Sequence, residues 1–161
     1  MRALISIGSV AAVLAALAGC ALNPFAVTPG MSREQVVSKL GKPSNAIAVS
    51  AGERLQYSLQ PSGRFAVMVD LDSAGRVIQA RQVLTLAEFS RIELGKWTRG
   101  DIEREFGRPA MVDHVTAWKG DVMTYRWSDG SDMFFWVYLD GQGVVQRTQQ
   151  GMEFYNAPDR M

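Results

Sequence analysis

Cysteine and histidine each occur once in the 161 residues, at Cys20 and His114. One cysteine closes no disulfide within the chain, and one histidine cannot supply the three or four nitrogen or sulfur ligands that zinc needs. His114 reads as a strand residue with Asp113 turned to the other face; it has no thiol to activate, so a satisfied strand histidine is expected rather than a general base. A glycine-rich phosphate loop and a nucleophile elbow are both missing. So is any excess of charge: 17 basic residues stand against 16 acidic ones. No basic stretch tracks a phosphate backbone, which argues against a nucleic-acid partner. Asp70, Asp72 and Gly75 echo the opening of a calcium loop, but Ala74 and Arg81 fall at later ligand positions, so a hairpin turn is the better account. These absences leave no expected catalytic residue, metal, cofactor or small-molecule substrate.

Long apolar runs are also scarce. The main one, Ala3 to Ala18, falls short of the ~20 residues that span a bilayer comfortably. Arg2 precedes it and Leu17-Ala18-Gly19-Cys20 ends it, the layout of a cleaved signal. The tetrad resembles the bacterial lipobox, which implies that Cys20 becomes the lipidated first residue of the mature chain. Two or three acyl chains, each buried CH₂ contributing ~0.8 kcal/mol, anchor stably where one chain does not. Ala21 in place of Asp implies sorting to the outer membrane, facing the periplasm. Removing Arg2 with the signal leaves 16 basic residues against 16 acidic ones.

What the chain does contain is a duplication. MSREQVVSKLGKP, from Met31 to Pro43, matches WTRGDIEREFGRP, from Trp97 to Pro109, at one constant offset. Ser32 and Thr98 are good N-caps, with Gln35 and Asp101 three residues on: a full capping box in the first copy and a looser one in the second. Met31 and Trp97 can close on Val36 and Ile102 as hydrophobic staples. Gly41 and Gly107 suit the helix end, and Pro43 and Pro109 forbid continuation. Each helix is too short to stand alone and must pack on something.

That support follows in the sequence. With the offset grown by two residues, Tyr57 matches Tyr125, Val69 matches Val137, Asp72 matches Asp140 and Gly75 matches Gly143. Alternating or apolar segments at 45–50, 54–59, 64–71 and 76–83 predict one antiparallel meander; those at 110–118, 122–128, 133–139 and 144–150 predict a second, with Asp-Gly at two of its turns. Thr85 and Glu88 open a further short helix through Leu86, Phe89 and Ile92. The fold class is therefore α+β: two tandem units of short helices packed on a four-stranded antiparallel sheet.

Alternation separates the faces of each third strand. Phe65, Val67, Val69 and Leu71 align with Met133, Phe135, Val137 and Leu139, which makes this the helix-covered core face. On the other face Ala66, Met68 and Asp70 become Phe134, Trp136 and Tyr138, and Arg126 lies on the neighbouring strand. These four residues are the candidate partner-binding set, since aromatics and arginine are enriched at interfaces. The alternative is that a sheet, a helix or the tail with Phe154 and Tyr155 covers them.

With lipobox, capped helix, Gly-x-Pro terminus and antiparallel sheet in place, the chain resembles the SmpA/OmlA (BamE-like) family of small outer-membrane lipoproteins. Its tandem copies are similar to the fold of the β-lactamase-inhibitor proteins. The resemblance implies residues 1–19 as signal peptide, 20–29 as lipidated Cys and tether, and 30–84 and 85–161 as two BamE-like units. It further implies a non-catalytic binding module in envelope or β-barrel outer-membrane protein assembly, with assembly subunits as partners. The inhibitor likeness implies instead a module that binds a periplasmic or cell-wall enzyme.

Overall fold

The computed structural model describes Asn23 and residues 26–153; Cys20, Phe154 and Tyr155 lie outside the described residues. The elements run α1 (Arg33–Leu40), β1 (Asn45–Val49), β2 (Gly52–Ser58), β3 (Ala66–Asp72), β4 (Val77–Gln82), α2 (Leu86–Phe89), α3 (Arg99–Phe106), β5 (Met111–Asp113), β6 (Val122–Ser128), β7 (Asp132–Leu139) and β8 (Val145–Met152). The strands form two antiparallel meanders, β1-β2-β3-β4 and β5-β6-β7-β8. The fold is α+β, two sheets of four strands with short helices.

The two units repeat in atomic detail. Capping boxes close on both Ser32 and Thr98; Asp101 reaches the Thr98 amide at 2.8 Å, so the second box is complete rather than loose. The helix starts are tied to their sheets by the same bonds, Arg33 N donating to Gly75 O and Arg99 N to Gly143 O. Asp72 Oδ1 accepts from the amides of Ala74 and Arg76, as Asp140 Oδ1 does from Gln142 and Val144, so both aspartates build hairpin turns. Tyr57 donates to the Gly41 carbonyl at 3.1 Å and Tyr125 to the Gly107 carbonyl at 2.7 Å. Each tyrosine thereby satisfies a carbonyl at the end of its unit's helix, which the helix itself leaves unpaired. Gly52 and Gly120 cross the backbone of their neighbouring strands so closely that a Cβ would come within 2.5 Å of Leu71 O and 2.0 Å of Leu139 O respectively.

Packing stacks these parts into four layers. Helix α1 places Val36 and Leu40 on Leu55, Tyr57, Val67, Val69 and Leu71, the face of the first sheet assigned to the core from alternation. Val27, just ahead of α1, is buried in the same cluster. The opposite face of that sheet is covered too, because Ala66 and Met68 join Ile102 and Phe106 of α3 and Phe89 of α2 in one continuous cluster. That cluster runs on to Tyr125, Trp127, Phe135 and Val137 of the second sheet. Phe89 is its centre, stacked on Phe135 at 3.9 Å and lying 5.0 Å from Phe106. Burying an aromatic of this kind contributes about 1.5–3 kcal/mol. The order is therefore α1, first sheet, α2 with α3, second sheet.

Two local expectations are corrected. The helix expected through Ile92 is a single turn, Leu86–Phe89, because the bonds tighten as Arg91 N turns to Glu88 O and Ile92 N to Phe89 O. The strand expected over 110–118 stops at Asp113. Beyond it Trp118 N bonds back to Val115 O, and the Trp118 indole donates to Leu139 O at 2.6 Å, which folds the segment into a turn. His114 consequently sits in that turn rather than in a strand, with its side chain 83% exposed and Nδ1 2.9 Å from Asp121 Oδ1.

Candidate functional site

Three of the four sheet faces are packed under helices; among the described residues, the outer face of the second sheet carries no such layer. Cross-strand register builds it row by row. Arg126, Phe134 and Gly151 form one row; Met111, Thr124, Trp136 and Gln149 the next; Asp113, Val122, Tyr138 and Arg147 the third. Register thus brings all four sequence candidates of the described chain, Arg126, Phe134, Trp136 and Tyr138, to one surface. The three aromatics are half-buried, and Met111 is half-exposed beside them.

The rings hold one another. Phe134 and Trp136 are 5.7 Å apart and tilted, and Trp136 leans over Gly151 so closely that a Cβ there would meet its ring carbons at 2.9 Å. Gly151 is the floor on which the indole lies. Tyr138 packs edge-on against Trp118 at 5.3 Å. The Arg147 guanidinium sits 3.8 Å above the Tyr138 ring and 5.5 Å from Trp118, a cation–π contact that fixes a charge on the platform. Tyr138 OH lies 3.2 Å from Gln149 Oε1.

Arg126 plays a different part from its aromatic neighbours. Its guanidinium pairs with Glu153 and donates to the Pro61 carbonyl at 3.0 Å. Gln60, from the loop between β2 and β3, bonds both backbone groups of Arg126, taking the place of a strand partner ahead of the point where β5 begins. Burial alone would raise the Glu153 carboxyl, but hydrogen bonds from Arg126 and Arg64 outweigh it and hold the group below the usual carboxylate range. Arg126 therefore clamps the first unit to the rim of the face.

Alternation patterns alone do not reveal Trp118, Arg147, Gln149 and Gly151. They lie on a turn and on a polar edge strand, and only register places them beside Trp136 and Tyr138. Aligning β8 with β4 in the duplication would have paired Arg147 with Gln79 and flagged that face.

A second set of titratable groups lies between the first sheet and the helices of the second unit. Arg54 Nε and Nη2 bind Asp70 at 2.5 and 3.1 Å, and Nη1 reaches Glu105 at 2.9 Å and the Arg104 carbonyl at 3.1 Å. Gln79 donates to Asp70 at 2.8 Å, while Arg81 pairs with both Glu88 and Glu105. Burial pushes the Asp70 carboxyl up, but the Arg54 and Gln79 hydrogen bonds outweigh it and leave it below the ordinary carboxylate range. Every carboxylate here is bound by guanidinium, an arrangement suited to joining layers. Among the described residues no group of three or more His, Cys, Asp or Glu is placed to hold a metal ion.

No protein-family model matches the chain, and no curated protein matches it. Among solved structures it is similar to the crystal structure of a DUF4309 family protein (YjgB) from Bacillus subtilis subsp. subtilis str. 168. That likeness is 14% in identity over 76% of this chain and 78% of the other, with a TM-score of 0.31, an overlap that carries no weight for fold or function.

Proposed function

We propose that the chain is a non-catalytic binding module of the cell envelope, held in the outer membrane by lipid on Cys20 and facing the periplasm. It presents the outer face of its second sheet to a protein partner in β-barrel assembly or envelope maintenance. The observation that carries this reading is the half-buried aromatic face, on which no helix lies among the described residues. Phe134, Trp136 and Tyr138 stand where the first unit has Ala66 and Met68, buried in the cluster with α2 and α3, and Asp70, buried under the Arg54 bridge to Glu105 of α3. Contiguous apolar surface of that kind on a small protein marks an interaction site, and Trp, Tyr and Arg are the side chains that anchor such sites. The resemblance of Leu17-Ala18-Gly19-Cys20 to a lipobox and of the capped helices to the BamE-like family supports that location and that class of partner.

Photo-cross-linking in living cells from a probe at position 136 tests it. Capture of β-barrel assembly subunits supports the role. Capture of a soluble envelope enzyme whose activity falls on binding assigns the face to inhibition instead. No capture from a folded, anchored protein refutes the aromatic face as the contact. Trp136→Ser is expected to weaken the captured complex by about 30-fold, the ~2 kcal/mol of a hot spot, with little loss of stability.

A further inference from the structure

We propose that the free edge of β1 is a second docking site, one that accepts an extended peptide of a partner protein as a fifth strand of the first sheet and holds an acidic side chain against Lys42. This surface is separate from the aromatic face and stands or falls independently of it.

The other exposed backbone edges are occupied or charged. Gly30 N donates to Val77 O and Val77 N to Met31 O, which covers the start of β4, and Arg81 lies further along that strand. The start of β8 is covered alike by Gly95 and Trp97, and Arg147 follows. β5 is only three residues long and ends in Asp113, and Gln60 fills the edge of β6 that β5 leaves open. β1 has fewer of these devices: its one occupied edge amide is that of Ala46, which bonds the side chain of its neighbour Asn45. Its sequence, Asn-Ala-Ile-Ala-Val, holds no charge and no proline, and among the described residues its only strand partner is β2. Natural sheets blunt an edge of that composition unless it is used.

The backbone is set for pairing. In an antiparallel ladder alternate residues turn their N–H and C=O away from the partner strand. Ala46 N donates sideways to Asn45 Oδ1 at 3.0 Å, so Ala46, and with it Ala48, faces the open edge; the Ala46 amide is taken by that side chain, which leaves the Ala48 amide as the donor for an added strand. Both residues are exposed. An added strand would lie about 4.8 Å beyond β1, its side chains alternating between the two faces of the sheet.

Clefts wait on both faces. On the α1 side one of about 360 Å³ is lined by Val37, Lys42, Pro43 and Ala46. On the α3 side two of about 310 and 460 Å³ flank Ile47 and Val49, with Arg104 in both. This alternation is what strand addition needs: main-chain bonds for affinity, pockets for every second side chain. The size of the clefts decides between occupants. A second copy pairing through its own β1 would offer only Ala46 and Ala48 to the α1 side, too small to fill the space. A partner with longer side chains fits. Lys42 is exposed and makes no ion pair among the described residues, whereas Arg33 beside it is held by Glu53 at 2.8 Å, so the described α1-side cleft presents one unneutralised positive charge.

The test uses the full chain and two labelled seven-residue peptides, one alternating threonine with glutamate and one alternating threonine with lysine. The glutamate peptide is expected to bind saturably and to slow hydrogen exchange at the Ala48 amide; the lysine peptide is expected to bind at least tenfold more weakly. Ala48→Pro removes an edge donor outside the β1–β2 ladder, a position where proline is tolerated, and should abolish binding while the unfolding transition stays in place. Lys42→Glu should reverse the preference between the peptides. Failure of the glutamate peptide to bind, or equal binding by wild type and both folded variants, overturns the proposal. A concentration-dependent dimer that Ala48→Pro dissociates would also overturn it, giving the edge to a second copy.

Discussion

Replacing Asp70 by Asn removes the charge that Arg54 was buried to meet. Both side chains are less than a tenth exposed, and they share two hydrogen bonds. Deleting one partner of a buried ion pair typically costs about 3–5 kcal/mol, since the remaining charge stays desolvated. Two features lower that figure here: asparagine keeps one acceptor oxygen, and Glu105 still holds Arg54 Nη1 at 2.9 Å. The expected loss near neutral pH is thus about 2–3 kcal/mol, which at a urea slope of about 1–3 kcal/mol per molar moves the midpoint by about 0.7–3 M. The effect must also depend on pH. The folded Asp70 carboxyl lies below its unfolded value, so its stabilisation is complete above the unfolded value of about 3.9 and drains away as pH falls through the folded one. Urea titrations of wild type and Asp70→Asn near pH 7 and again near pH 3 should show a wide gap at the first and a narrow one at the second. A gap below about 0.5 kcal/mol near neutrality, within the ordinary range of a surface substitution, refutes the buried pair as a joint between layers. A gap unchanged by acid refutes the assignment of the charge to Asp70.

Tyr125→Phe should cost about 1–3 kcal/mol in denaturant titration, because it leaves the buried Gly107 carbonyl without its donor. Tyr57→Phe should cost less, since the Gly41 carbonyl is only part-buried; equal losses would mean that the hydrogen bonds are not what distinguishes the two tyrosines. Cys20→Ala is expected to move the protein from the membrane fraction and to remove the lipid mass, and retention in the membrane with its mass modification unchanged would refute the anchor.

The repeat was legible because its signals are local. Ser32 and Thr98, the glycines and prolines that close the helices, and the apolar alternation of Val67 to Leu71 and Phe135 to Leu139 each act within a few residues, and each proved to hold the expected element. Where a long-range partner decides the outcome, local pattern fell short. The strand expected to run on to Trp118 ends early because the Trp118 indole finds its acceptor at Leu139, 21 residues away. Arg54 and Gln56 read as ordinary strand residues, yet they hold α3 through the carbonyls of Glu103 and Arg104. Nothing within the first unit announces that its second sheet face belongs to a helix lying beyond its own four strands. The β1 edge was equally silent, since what sets it apart is that no strand lies beyond it among the described residues.

The same fold position has been filled in two opposite ways, and the contrast bears on what the second face is for. Positions 54, 56, 66, 68 and 70 of the first unit correspond to 122, 124, 134, 136 and 138 of the second. In the first unit they carry hydrogen-bonding hooks and side chains no larger than methionine, because a helix must come close and be held by its carbonyls. In the second they carry Phe134, Trp136 and Tyr138, which leave no room for a helix at that distance. A sheet face left to water is most cheaply made polar, as the exposed Gln146 and Gln149 on β8 illustrate. Three aromatics stand there instead, one resting on a glycine and one capped by an arginine, in the rows that bury Val122 and Thr124. The binding-module proposal accounts for what remains exposed of them as contact with a partner, with Arg147 and Gln149 as its polar rim.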